Sequence, residues 1–388
     1  MTNGGRIDSY FHAKSLRAVG CHVFLLFAYT FQAEFDEFVK VAPDICDGFF
    51  AFQRNKRQLK DVFSAVPYIV KNRKPSSKVI EAIGRKFSGV RFDLVIEAQL
   101  NAHLLASEVH QILYPNSVYL HRMLNIETTL LASTFQASKI VSLRKWFFAL
   151  EALKMWFYER KVYEQFEHIA AISSYEQNLL AKKFPGKKIF WLPPFFDFAP
   201  RTELTPAEMD EYDALLSRTK GRPVALLTAN FSGGMTVKQV RWFLNDVLPL
   251  VRKLVPDLLV VVAGREAASH FESGESVLVV NNYGSVKPLM KLCGVLVVAT
   301  TGRGGVKLKL MEALGYKKPI ISTVSGVFGS GLEKVVPNTD DPQMFAQLCA
   351  RAFADPDSSK VTQSFFESRY NCESNAREML DRVLGAES

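Results

Sequence analysis

The segment GRGGVKLKLMEALGYKKPIIS, residues 302–322, holds the densest set of groups able to do chemistry. Arg303, Lys307 and Lys309 crowd the start of a helix-like stretch, where the helix dipole is already positive and cations are unfavourable. An anion held in front of the stretch reverses that. Gly304 and Gly305 have no side chains, so backbone N–H groups there can approach phosphate oxygens closely. The three cations then become counter-charges for a diphosphate. On a helix, Lys309, Glu312 and Tyr316 fall at i, i+3 and i+7 and share one face. Glu312 would stand one turn behind the phosphates, placed to accept hydrogen bonds from a ribose diol, as an acid does in dinucleotide folds. On these residues alone, a surface helix with a weak Lys309–Glu312 pair explains the same pattern.

The elements that must position this segment read as alternating strands and helices. HVFLLFAY (22–29), FDLVIEA (92–98), SVYLH (117–121), AAIS (170–173) and KIFWLP (188–193) are short apolar runs suited to buried parallel strands. The stretch PPFFDFAPRTELTP (193–206) breaks the alternation with four prolines and reads as a linker or hinge. Strands then resume with PVALLTANF (223–231), DLLVVVAG, SVLVVNN, GVLVVATT and KPIIST. Between the first two of these, VKQVRWFLNDVLPLVRKLV is an amphipathic helix with Val240, Phe243, Leu244 and Val247 on one face. Alternation of this kind implies two doubly wound α/β domains, with ligands at the carboxyl ends of the strands.

Composition narrows the function classes. The chain has 388 residues, 48% hydrophobic and 22% charged, and no apolar run long enough to span a bilayer. The first residues lack the apolar core of a signal peptide. Five scattered cysteines without a C-x-x-C spacing suggest neither a disulfide framework nor a zinc site, so a reducing, cytoplasmic address is expected. The net charge of +9 is uneven: residues 1–200 hold 26 Lys and Arg against 18 Asp and Glu. Residues 54–91 alone carry 11 basic residues opposed only by Asp61 and Glu81. Such a segment points to an anionic partner, or else to a solvated basic surface. No recognition motif for nucleic acid accompanies it, and none is expected as a partner.

Together these motifs resemble the retaining glycosyltransferases of the GT-B fold, family-four type. The carriers are Gly305, Lys307, Lys309, Glu312, Ala313 and Pro319 followed by IIST, then Gly326 and Gly329, and upstream Gly264 and Arg265 ending a strand. In the first half, Arg122, Asn125, Ile126 and Glu127 match a family segment, with Leu124 where the family has His. A family glutamate seven residues ahead of the second would fall at Gly304. Ser173 is expected to cap a helix, with Glu176 as its capping-box partner.

The resemblance implies two Rossmann-like domains facing a cleft. An acceptor-binding domain would span residues 1–198 and a donor-binding domain residues 199–388, with a last helix, about 365–388, crossing back. It implies sugar transfer from a nucleoside diphosphate sugar to an acceptor hydroxyl with retention and without a metal. In that reading Arg265 and Lys309 are catalytic. Gly304, Gly305, Lys307, Glu312, Gly4 and Gly5 hold the donor, and Asn125 and Glu127 lie on the acceptor side. The acceptor would be a glycan or a lipid-linked glycan. Residues 54–91 would meet an anionic membrane surface, making the protein peripheral on the inner face of the cell membrane. Asp340-Asp341 resembles a metal-binding diacid and is read instead as the start of a helix. Two rival readings are a catalytically inert GT-B subunit that binds a nucleotide sugar or a partner enzyme, and a sugar-nucleotide epimerase.

Two further expectations concern placement. The motif NGGR (3–6) belongs, by resemblance, after a central strand, and two residues precede it. The first-domain sheet is therefore expected to lack that strand or to have its place filled by another segment, with an apolar strand encoded upstream. The aromatics of KWFFALEALKMWFYERKVYEQF (145–166) are expected in the core rather than at a membrane.

Overall fold

The computed structural model describes residues 4–54, 59–137, 143–196, 203–232, 234–301, 306–355 and 359–385. The chain divides into two units, Met1–Phe196 with Tyr370–Ser388, and Asp197–Arg369.

The first unit begins with helices α1 (Gly4–Ala18) and α2 (Gln32–Ile45) around strand β1 (Phe24–Tyr29), followed by β2 (Gly48–Gln53). Helices α3 (Tyr68–Lys71) and α4 (Ser77–Lys86) lead to β3 (Leu94–Glu97), α5 (His103–Leu113) and β4 (Val118–Met123). Next come α6 (Glu127–Ala137), α7 (Leu143–Gln165), β5 (His168–Ala171), α8 (Ser174–Lys183) and β6 (Lys188–Trp191).

The second unit opens with α9 (Pro206–Thr219) and β7 (Val224–Thr228). Helices α10 (Gly234–Trp242) and α11 (Leu248–Leu254) are joined by a π turn at Phe243–Val247. Pro249 accounts for the turn: it has no N–H to offer and its ring crowds the preceding carbonyls, so the ladder widens there. β8 (Leu259–Gly264), β9 (Val277–Asn281), α12 (Lys287–Leu292) and β10 (Val295–Val298) follow. α13 (Leu308–Gly315), β11 (Ile320–Ser322), α14 (Val324–Val327), α15 (Pro342–Ala354) and α16 (Lys360–Arg369) complete the unit. The last helix, α17 (Cys372–Leu384), belongs to the first unit.

In the second unit all strands pair parallel in the order β11-β10-β7-β8-β9. The strand order reverses between β7 and β10, and a crevice opens at the carboxyl end of such a switch point. In the first unit the strands form two separate parallel sheets, β1-β2 and β3-β4-β5-β6. Both lie in one layer. Leu25 of β1 and Leu94 and Ile96 of β3 pack into the same core as α1, α2 and α17. Opposite, Phe24, Leu26 and Phe50 meet Ile80 and Ile83 of α4 and Leu105 and Val109 of α5. On that same side Tyr119, Ile169 and Ala171 meet Val70 of α3 and Met155, Val162 and Tyr163 of α7. Among the described residues no strand joins β1 to β3, so the layer lacks a central strand, as expected. A cavity of about 530 Å³ lies there, lined by Leu25, Phe27 and Ala28 of β1, Tyr10 of α1, and Ala98 and Gln99 beyond β3.

Two expectations are corrected, and one strand was missed. Gly4 and Gly5 form the first turn of α1 rather than a loop ahead of it, and Ser9 Oγ donates 2.9 Å to the Gly5 carbonyl in the i−4 pattern of a helix. Glycine's cost in a helix is backbone entropy, about 0.5–1 kcal/mol relative to alanine. The strand β2, GFFAFQ, was not singled out by apolar alternation because its aromatics fill both faces. Finally, the aromatics of residues 145–166 divide: Tyr163 of α7 and Phe166 just after it are buried, whereas Trp146, Trp156 and Phe157 are exposed.

Candidate functional site

The site is built on the carboxyl edge of the second unit's sheet. After β10, Thr300 donates its N–H to Thr323 Oγ1 at 3.0 Å, and the Thr323 hydroxyl returns a bond to the Thr300 carbonyl at 2.6 Å. Gln239 of α10 holds the Thr301 hydroxyl at 3.1 Å. The chain leading into α13 is therefore anchored on two sides. Arg303, Gly304 and Gly305 fall outside the described residues.

α13 is amphipathic in the way its sequence requires. Leu310, Met311, Ala313 and Leu314 are buried, and Lys309 and Glu312 occupy the half-buried face. Lys307 sits at the N-cap in extended conformation, with no side-chain cap on the helix. The first-turn amides and the positive end of the dipole thus point back toward the chain that follows β10.

Lys309 reaches across the switch point and donates from Nζ to the Thr228 carbonyl at the end of β7, at 2.8 Å. Burial and the neighbouring Lys307 charge lower its pKa to about 8, against the opposing pull of Glu312. Burial raises the Glu312 carboxyl above the usual range, with Lys309 working against it. The Glu312 charge in turn helps burial raise the Tyr283 phenol, so the two groups are neighbours. It acts on Tyr316 likewise, after burial and Glu208.

Arg265 is the first residue beyond β8. Its carbonyl accepts from Phe231 N at 3.0 Å, while its side chain is exposed, 3.9 Å from Glu266 Oε1. Gly264 before it is fixed by close approach: a Cβ there would stand 1.7 Å from the Ala229 carbonyl oxygen. Gly326 is fixed similarly, since a Cβ would lie 2.1 Å from Ser322 Oγ. The structure therefore brings Lys307, Lys309, Glu312 and Arg265 to one edge of one sheet. An anionic group there would meet two or three cations and a helix N-terminus, with a carboxyl one turn behind.

The acceptor-side residues belong to the first unit. Asn125 lies half-buried between β4 and α6. Glu127 opens α6, donating its N–H to Glu159 Oε1 at 2.8 Å. Burial, then repulsion by Glu159, raises the Glu127 carboxyl to about 7, with Arg73 opposing. Ser173 does cap α8, accepting from Glu176 N at 3.4 Å, but no reciprocal box forms. The Glu176 carboxylate instead accepts from Ile126 N at 3.0 Å, steadying the turn before Glu127. Arg122 is fully buried and structural: it donates to the carbonyls of Leu192 and Pro193 and to Asp8 Oδ1, at 2.6, 2.9 and 3.1 Å. His121 is fully buried, its Nδ1 3.0 Å from Glu97 Oε1. The other Glu97 oxygen takes Tyr119 and His103.

Asp341 caps α15, accepting from Met344 N at 2.7 Å, and Asp340 accepts from Val324 N at 3.1 Å. Both carboxylates of the diacid are thus spent on backbone. Among the described residues no group of His, Cys, Asp and Glu gathers in a metal-binding arrangement. Thr228, Tyr283 and the buried acids Glu97, Glu151 and Glu159 were missed from sequence. The acids could have been found as carboxylates set among aromatic and apolar neighbours.

Residues 222–355 match the family of group 1 glycosyl transferases. No curated protein matches the chain. Solved structures do. A glycosyltransferase from Rickettsia africae ESF-5 is 14% identical, with TM-score 0.65 over 100% of this chain and 97% of that one. Anabaena Alr3699/HepE in complex with UDP is 11% identical, with TM-score 0.62 over 99% and 97%. The α,α-trehalose-phosphate synthase (UDP-forming) of Burkholderia vietnamiensis is 11% identical, with TM-score 0.57 over 92% and 98%. At these identities the likeness is one of fold, and it extends over both units.

Proposed function

We propose that this chain is a glycosyltransferase, on the match of residues 222–355 to the group 1 family and the likeness of fold, and that it moves a sugar from a UDP-sugar to an acceptor hydroxyl with retention of configuration. The observation that carries the reading is Lys309, held at the switch point by the Thr228 carbonyl. Its charge is costly without an anion and relieved by one. Lys309 and Arg265 offset the charge that grows on the leaving diphosphate, which is electrostatic stabilisation of a transition state. Lys307 and the amides of Gly304 and Gly305 bind the diphosphate, and Glu312 orients the ribose. UDP is the favoured nucleotide because Alr3699/HepE was solved with UDP and with UDP-glucose.

The acceptor is a glycan or lipid-linked glycan, taken by the first unit with Asn125 and Glu127 on that side, as part of cell-surface glycan or glycolipid assembly. The basic segment 54–91 holds the protein at an anionic membrane surface. The test is a screen of nucleotide sugars for release of free nucleotide and for epimerised sugar. UDP release that depends on Lys309 supports transfer. Epimerised donor without UDP release favours an epimerase, and binding without turnover favours an inert subunit.

A further inference from the structure

Helix α7 carries a stripe that its own packing does not explain. Trp146, Leu150, Leu153 and Phe157 recur at i, i+4, i+7 and i+11, on one face of the helix, with Trp156 beside them. All five are exposed, Trp146 at 71%. The stripe runs about 16 Å at 1.5 Å per residue. The helix cannot turn it inward, because the opposite face is pinned. Glu151 accepts from Tyr68 N at 2.6 Å and pairs with Lys154. Glu159 accepts from Glu127 N at 2.8 Å and the Thr128 hydroxyl at 2.6 Å. Met155, Val162 and Tyr163 lie in the core.

A second apolar group joins the stripe. Lys154 Nζ donates to the Val62 carbonyl at 2.7 Å, and the next residue, Phe63, is 91% exposed. Helices α3, α4, α5 and α7 cover the same side of the sheet layer. On that side α4 and the turn before it carry Lys74, Lys78, Arg85 and Lys86, all exposed.

We propose that this face of the first unit seats in an anionic lipid bilayer, with the α7 stripe and Phe63 entering the interfacial layer and the cations of α3 and α4 on the headgroups. Apolar and tryptophan-bearing faces beside lysine and arginine are what such an interface takes up. A second copy of the chain would bring the same cations against each other, which disfavours self-association through this face. Among the described residues no helix is long and apolar enough to cross a membrane, so the contact is with the surface. The inference deepens the membrane part of the proposed function and is independent of sugar transfer.

The full chain is mixed with phosphatidylcholine vesicles with and without phosphatidylglycerol. Binding is read by co-sedimentation and by quenching of tryptophan emission with brominated lipid. The variants are Leu150→Glu with Phe157→Glu, and Lys78→Glu with Arg85→Glu and Lys86→Glu. All five sites are exposed, Lys78, Arg85 and Lys86 being charged and Leu150 and Phe157 apolar, and melting temperature reports the folding of both variants. The expected result is binding to the anionic vesicles with bromolipid quenching, and at least about a tenfold loss in the stripe variant. The charge variant should lose binding and show less salt dependence. A stripe variant that binds like the unchanged protein, or binding without quenching, overturns the proposal. So does a stripe variant that only converts a dimer to a monomer in sedimentation velocity. UDP-sugar turnover measured without lipid should be unchanged in the stripe variant. Absence of turnover in the unchanged protein would defeat the transferase reading and leave the docking result standing.

Discussion

An ammonium group partly withdrawn from water, with a second lysine beside it, gives up its proton early, and Lys309 does so at about 8. Bound diphosphate favours the charged form and raises that pKa. Donor affinity is therefore full below pH 8 and falls as pH rises above it, by up to about tenfold per unit, until the pKa of the complex is reached. Calorimetric titration of UDP between pH 7 and pH 10 checks this, and a flat profile would remove Lys309 from the diphosphate. Glu312→Ala should weaken nucleotide binding by about 1.5–3 kcal/mol, the worth of a charge-assisted bond, with the melting temperature nearly unchanged. Lys309→Ala should lower turnover more than donor binding, because the charge it faces grows as the bond breaks. Equal losses in kcat and affinity would place its role in the ground state. The spacing of Lys309 and Glu312 was legible because side-chain type and helical period define it. The Thr228 carbonyl that holds Lys309 was not, because every residue has a carbonyl and only the fold brings that one near.

Elements carry constraints that no single residue shows. β8 can end under the turn after β7 only because residue 264 has no Cβ. Gly264→Ala would drive a methyl into the Ala229 carbonyl and displace Arg265, whose carbonyl holds Phe231 N. A loss of about 2–4 kcal/mol is expected, read by urea unfolding. In the first unit, β1 is paired on one side only among the described residues, while β7 and β8 are paired on both. Amides of β1 should exchange with deuterium well before those of β8, since an edge beside a cavity opens at lower cost. Equal protection would mean that the gap between β1 and β3 is closed in solution. The gap was legible from the resemblance of NGGR to a loop that follows a central strand, although the glycines themselves proved to be helical. The fate of the α7 aromatics was not legible. Periodicity identifies the apolar stripe, but the buried carboxylates of Glu151 and Glu159, which decide which side faces inward, are polar and run against that pattern.

For the whole molecule, the path of the chain separates the two units unequally. The second is one continuous stretch, Asp197–Arg369, whereas the first is closed by residues from both ends of the sequence. α17 completes the core of the first unit: Ala376, Met379 and Val383 are buried against Ala13 and Leu16 of α1. The N-cap of α17, Asn371, accepts from Ser374 N at 2.9 Å, and Cys372 Sγ contacts the Phe196 carbonyl at 3.0 Å. Removing residues 370–388 takes Met and Val side chains out of that core, at about 1.5–3 kcal/mol each, and exposes the apolar face of α1. The same removal touches no strand of the second unit and none of Lys307, Lys309, Glu312 or Arg265. Deletion is therefore expected to lower the melting temperature of the first unit and to leave UDP affinity within about twofold. Differential scanning calorimetry with and without UDP separates the two, because a ligand raises only the transition of the unit that binds it. A deletion that abolishes UDP binding while the second unit's transition persists would show that the nucleotide site draws on the first unit, and the donor site would have to be redrawn to include it.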